Sequence, residues 1–216
     1  MQVEIIRMPA DAERQHWLEE NFRLRHKVLV DRGATQAVNI PDRRVVDAFD
    51  TPGSVHILII EGGRIVAASR LTPLDRPNLL QTAYSGLVQG KFPDHSSLGA
   101  DWTHFYVLAD RREDGRSTPE SAALFSAVME HALSEGYSFL TFVVPLYLIE
   151  NCAAVGWRIT PLGAPVVLDG CPSVAAWISV TETALNNARR LCGQGGTPYI
   201  AHGWPDGATS PYGAIN

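Results

Sequence analysis

Apolar and polar positions along the first third of the chain trace a strand, a helix, an open segment and a hairpin. Val3–Ile6 is a short apolar run that predicts a strand. From Asp11 to Val30, Trp17, Leu18, Phe22, Arg25, Val28 and Leu29 recur near helical spacing, and Gly33 follows as a stop. Residues 34–52 have no period and include Pro41 and Pro52, so they predict an irregular loop. Val55–Ile60 and Arg64–Arg70 are β-branched runs around Glu61-Gly62-Gly63, the signature of a hairpin with a tight turn.

The rest of the chain alternates. Pro77–Tyr84 fits a short helix and Trp102–Leu108 a strand. Ser117-x-x-Glu120 with Pro119 predicts a capping box for a helix whose stripe is Leu124, Phe125, Val128, Met129, Ala132 and Leu133, closed by Gly136. Tyr137–Val144 predicts a buried strand and Leu146–Val155 a helix stopped by Gly156. Trp157–Thr160 and Val174–Val180 predict strands, and Thr181–Leu191 a last helix. Hairpins first and alternation later imply an α/β chain with a mixed sheet covered by helices. Residues 1–191 are expected to form a single domain and 192–216 an irregular tail. That tail is rich in glycine and proline, with Tyr199, Ile200, Trp204 and Tyr212 offering the alternative of packing back.

Composition narrows the classes. The chain has 216 residues, enough for a full core, and a net charge of −5 that argues against broad nucleic-acid binding. Three cysteines, Cys152, Cys171 and Cys192, have neither metal-ligand nor C-x-x-C spacing, which fits a reducing cytosol. The seven histidines lack metal-binding spacing, so no metal site is expected. The N-terminus is too short and charged for a signal peptide and no apolar run is long enough to span a bilayer, so a cytoplasmic protein without a membrane partner is expected.

Candidate chemistry lies in three pieces: Arg25 on the first helix, Asp47 and Asp50 in the open segment, and Arg70 at the end of the hairpin. Arginines and carboxylates in this order suit a small zwitterion, since neither of its charges can be desolvated unpaired. Three of the four also have a plainer reading, whereas Asp47, after Val45-Val46, is placed near the core boundary. Arg25 can lay its stem over Trp17, Phe22 and Leu29; Arg70 can pair with a structural carboxylate; Asp50 can cap the turn Asp50-Thr51-Pro52-Gly53. Strand alternation puts Asp101, Thr103 and Phe105 on one face and Trp102, His104 and Tyr106 on the other, where a histidine among aromatics is packed or catalytic. The loop Ala109–Arg116, with Arg111, Arg112 and Arg116 before a helix, suits a phosphate or is an ordinary solvated connection.

Together these residues resemble the acyl-homoserine lactone synthases of the LuxI type, from about Ile5 to Leu191. Arg25, Asp47, Asp50 and Arg70 match the family's arginine, its D-x-x-D and the arginine of its R-L-x-P segment. Pro77-Asn78-Leu79-Leu80 with Tyr84 resembles its proline–leucine stretch, and Gly156-Trp157 with Leu162-Gly163-Ala164-Pro165 its G-W and L-G-x-P. Asp169-Gly170 and Val174-Ala175 fit as well.

The resemblance implies an acetyltransferase-like (GNAT-like) fold and synthesis of a quorum-sensing signal. S-adenosylmethionine would be the amine substrate, and an acyl thioester of acyl carrier protein or coenzyme A the donor, with no tightly bound cofactor. Asp47, Asp50, Asp101 and His104 would be catalytic, and Arg25, Arg70, Tyr84, Phe105 and Phe142 would bind substrate. The chain departs from the family at Leu29, Thr35, Val45 and His104, where the family has an aromatic, a tryptophan, a glutamate and an arginine. Asp101 replaces a glutamate, and Phe142 replaces a smaller residue near the acyl chain. Two alternatives share the scaffold: an N-acyltransferase acting on another amine, and a ligand-binding homologue without catalysis.

Overall fold

A computed structural model describes residues 1–31, 40–93, 98–111, 118–154, 156–168 and 170–193. Its strands are β1 (Gln2–Arg7), β2 (Val55–Glu61), β3 (Arg64–Pro73), β4 (Gly99–Val107), β5 (Phe139–Pro145), β6 (Ile159–Pro161), β7 (Val166–Leu168) and β8 (Cys171–Ser179). Its α-helices are α1 (Gln15–Asp31), α2 (Pro119–Ser134), α3 (Leu146–Ala154) and α4 (Glu182–Gly193). The strands form one mixed sheet ordered β1-β2-β3-β4-β5-β8-β6, with β7 paired to β8. The expected α/β class with a mixed sheet flanked by helices is the class observed.

The hairpin forms as the glycines predict. Glu61 pairs with Arg64, and Gly62 and Gly63 have φ of 57° and 73°, the positive values a tight two-residue turn needs. Both hairpin strands are buried on both faces because a helix covers each side of the sheet. On one face Val55, Ile57, Ile59, Val66 and Leu71 pack with Leu124, Val128 and Met129 of α2. On the other, Ile6, Leu58, Ile60, Ile65 and Ala68 pack with Val28 and Leu24 of α1.

Several expectations are corrected. Pro77–Tyr84 is not a helix: residues 79–84 are a run of turns, followed by a single 3-10 turn over Ser85–Leu87. Asn78 Oδ1 accepts from Gln81 N at 2.9 Å, and Tyr84 N donates to Leu79 O rather than to an i−4 carbonyl, so no α-helical ladder propagates. The cap of α2 lies one residue later than expected. Thr118 is the N-cap and exchanges hydrogen bonds with Ser121, while Pro119 holds the first turn as predicted. β7 escaped notice because three residues are too few for a periodic signal. Gly33, Thr35, Arg112, Arg116, Ser117, Asp169 and the tail from residue 194 onward lie outside the described residues.

The sheet carries one discontinuity that positions the site. β4 and β5 run parallel and pair only at Gly99↔Phe139, Ala100↔Leu140 and Asp101↔Thr141. β4 continues to Val107 and β5 to Pro145 without further pairing to each other, so the two strands part beyond Asp101 and Thr141.

Candidate active site

The charged residues from the three sequence pieces meet on the α1 face of the sheet. Arg70 is not at a strand end: β3 runs three residues further, and its guanidinium lies wholly inside. Arg25 Nη1 donates to both oxygens of Asp50 at 2.9 Å. Arg70 Nη1 donates to Asp47 Oδ1 at 2.6 Å and Asp50 Oδ1 at 2.8 Å, and its Nε donates to Thr103 Oγ1 at 3.1 Å. His104 Nε2 stands 2.8 Å from Asp47 Oδ2. The loop between the aspartates is locked by its own backbone: Asp47 N donates to Asp50 Oδ2, and Phe49 N to Asp47 Oδ1. Asp50 therefore does not cap the following turn, which closes by Ser54 N to Thr51 O.

Side-chain exposure is 2% for Arg25, 4% for Asp47 and zero for Asp50 and Arg70, so desolvation is nearly complete. Two cations and two anions balance, which is the condition under which buried ions persist. Burial pushes the Asp47 carboxyl up, but the His104 hydrogen bond and Arg70 outweigh it and hold it well below the usual range. Burial opposes ionisation of Asp50 too, and Arg25 and Arg70 reverse the sign. Burial, then the charges of Arg25 and Arg70, pushes His104 down to about 4. It is therefore neutral near pH 7, with its Nε2 proton directed at Asp47.

His104 reaches this network because β4 breaks alternation. Its φ is +53°, and the β3–β4 register slips between Ala68 and Arg70. The bulge puts Thr103, His104 and Tyr106 on the α1 side, whereas Trp102 and Phe105 pack against α2. The expected grouping of Trp102 with His104 is therefore wrong.

Asp101 stands on the same polar face as Arg70 but outside the ion pairs. It is 1% exposed and accepts from Leu80 N at 3.1 Å and Thr141 Oγ1 at 3.0 Å. Burial pushes its carboxyl up to about 6. Thr72, Asp101 and Thr141 stand side by side across β3, β4 and β5, at the last rung before the strands part. Within this region Arg70 Nη2 and Thr72 Oγ1 are buried and without a hydrogen-bond partner among the described residues.

The remaining candidates lie elsewhere. Phe142 and Phe105 join Trp102, Phe125 and Trp157 in an aromatic cluster on the α2 side. Phe105 stacks on Phe125 at 4.9 Å, and Trp102 meets Phe142 edge-on at 6.0 Å. Trp102 Nε1 donates to Ser69 Oγ. Tyr84 packs at the rim of a separate cluster of Leu80, Val143, Leu162 and Ala175. Two departures touch: Leu29 packs with Val45 and Ile40, so the aromatic and the glutamate of the resembled family are replaced by one apolar contact.

Sequence reading missed His56, Asn21 and Tyr106, which lie behind Arg25. A single histidine inside the apolar run Val55–Ile60 was the available signal. Among the described residues no group of three His, Cys, Asp or Glu is placed to hold a metal, and no helix is long and apolar enough to cross a membrane.

The chain matches the family described as Autoinducer synthase over residues 10–187. An isovaleryl-homoserine lactone synthase of Bradyrhizobium diazoefficiens is 27% identical over 169 residues, 78% of this chain and 75% of that protein. The solved structure of a CoA-dependent acyl-homoserine lactone synthase, BjaI, with SAM and isopentyl-CoA superposes with a TM-score of 0.78. Its identity is 26%, covering 88% of this chain and 89% of that one. Another CoA-dependent acyl-homoserine lactone synthase, MesI, gives 0.78 at 27% identity over 94% of this chain and all of its own. With the family matched across most of its length, the chain belongs to the autoinducer synthases.

Proposed function

We propose that this chain is an acyl-homoserine lactone synthase that acylates the amine of S-adenosylmethionine from a short-chain acyl-coenzyme A. The observation that carries the reading is the Arg70 Nη2 donor. It is a charged N–H, fully buried and without a protein partner among the described residues, on the polar face leading to the parting of β4 and β5. An orphaned buried donor marks a place for a ligand acceptor, here the substrate carboxylate. The ion network is then a preorganised mount, in which Asp47 and Asp50 fix Arg25 and Arg70 for the substrate carboxylate.

Asp101 takes the ammonium proton, since a carboxyl near 6 is matched to base catalysis near neutrality. His104, neutral and held on Asp47, orients that carboxylate and is a weaker base. The freed amine attacks the thioester carbonyl, and coenzyme A leaves as its thiol. Backbone N–H groups where β4 and β5 part from each other suit the oxyanion. The substrate carboxylate then displaces the sulfonium at its own γ-carbon, closing the lactone and releasing methylthioadenosine.

On the α2 side of the parting, Trp102, Phe105, Phe125, Phe142 and Trp157 fill the space an acyl chain would enter. That favours a short or branched acyl group over a long one, in line with the isovaleryl and isopentyl groups of the relatives. Incubation with S-adenosylmethionine and a panel of acyl-coenzyme A and acyl-carrier-protein donors should give methylthioadenosine fastest with short or branched acyl-coenzyme A. A preference for long chains or for the carrier protein would refute the donor assignment.

A further inference from the structure

Behind the ion network lies a second layer that the reaction does not call upon directly. Asn21 of α1, His56 of β2 and Tyr106 of β4 are each no more than 2% exposed. The Tyr106 hydroxyl donates to Asn21 Oδ1 at 2.8 Å. Asn21 Nδ2 stands 3.2 Å from His56 Nδ1, and Arg25 Nη2 stands 3.1 Å from the same nitrogen.

A guanidinium donates and never accepts, and an amide whose oxygen already takes the tyrosine proton presents its N–H₂. Both neighbours therefore donate to Nδ1, which carries no proton. The ring proton sits on Nε2, which faces Asp50 Oδ1 at 3.5 Å without a hydrogen bond and has no other partner among the described residues. Burial, and then the charge of Arg25, holds the imidazole well below its ordinary range, so the ring stays neutral. Phe22 closes the pocket edge-on at 5.7 Å.

Arg25 is thus gripped at two nitrogens: Nη1 by Asp50 and Nη2 by His56. One partner would leave the guanidinium plane free to rotate on its three-carbon stem; two partners on different nitrogens fix it. We infer that His56 is a positioning residue that holds Arg25 through an unprotonated Nδ1, with Asn21 and Tyr106 fixing the ring. This rests on the reading of Arg25 as part of the S-adenosylmethionine site.

Two measurements test it. Nitrogen NMR of the His56 ring in the substrate-free protein should show the neutral Nε2–H tautomer across neutral pH. A doubly protonated ring or the Nδ1–H tautomer overturns the proposal, whatever the protein catalyses. In methylthioadenosine release, His56→Asn keeps an acceptor near Nδ1, whereas His56→Gln moves it toward Nε2 and His56→Leu removes it. The KM for S-adenosylmethionine should rise about tenfold or more in His56→Leu and His56→Gln, the loss of one hydrogen bond to a charged group, with kcat changing much less. It should stay near wild type in His56→Asn. Should His56→Leu not fold, the Asn and Gln variants decide alone. An unchanged KM, an Asn variant as impaired as the Gln variant, or a loss confined to melting temperature overturns the proposal. If the wild-type protein binds no S-adenosylmethionine, the site reading fails separately and the NMR result alone decides the role of His56.

Discussion

At the scale of single residues, charge balance governs this site. Arg25 and Arg70 face Asp47 and Asp50, and both nearby histidines are kept neutral by burial. An arginine at 104, the residue of the resembled family, would add a fifth charge, so His104 is consistent with a network already closed at four. Asp47→Asn removes one anion and leaves Arg70 undercompensated. It is expected to abolish methylthioadenosine release and to cost about 3–5 kcal/mol of stability, the range for breaking a buried pair, measurable by urea denaturation. Unchanged stability would mean the pair is not desolvated. The four charged residues were legible in the sequence as a set, but their partners were not. Arginines and carboxylates suited to a ligand are equally suited to each other, and only the fold shows that they pair internally. His104 is the clearest case. Alternation put it beside Trp102, and a positive φ, which no period reports, turned it to Asp47.

At the scale of elements, the parting of β4 and β5 does the positioning. It puts a polar row, Thr72, Asp101 and Thr141, on one face and aromatic side chains on the other. Phe142 and Trp102 narrow the aromatic side. Phe142→Val should shift donor preference toward longer acyl-coenzyme A, read as a changed ratio of kcat/KM between long and short donors. The change should cost roughly 2–3 kcal/mol of stability for the cavity left. An unchanged ratio would place the acyl chain elsewhere. The strands, the hairpin turn and α2 were legible because their periods and turn residues agree with their burial. The segment 78–84 was not, since Asn78 and Thr82 bond to the local backbone in place of a helical ladder, while Leu80 N is held by Asp101.

For the whole molecule, the buried titratable groups set how stability follows pH. Below about 6.5 an unfolded chain protonates His56 and His104 while the native state does not, so stability falls as pH drops toward about 4, where His104 begins to take its proton. Asp101 works against this. The native state keeps its proton up to about 6, whereas an unfolded aspartate releases it near 3.9, so its contribution weakens as pH rises between those values. His131, also pushed down by burial, adds to His56 and His104, and three histidines against one aspartate give a net rise in stability with pH across about 4 to 6.5. Asp101→Asn should steepen that rise, and urea midpoints across the window measure it. A flatter profile in the variant would contradict the assignment of Asp101.

The central claim is that this chain makes acyl-homoserine lactone from S-adenosylmethionine at the face shared by Arg70 and Asp101. Mass-spectrometric detection of methylthioadenosine and the lactone, with S-adenosylmethionine and short branched acyl-coenzyme A, tests it most directly. Both products should appear in equal amounts from the wild-type protein, and neither from Asp101→Asn. Folded wild-type protein that yields neither product with any donor, or an acylated amine without methylthioadenosine, would contradict it.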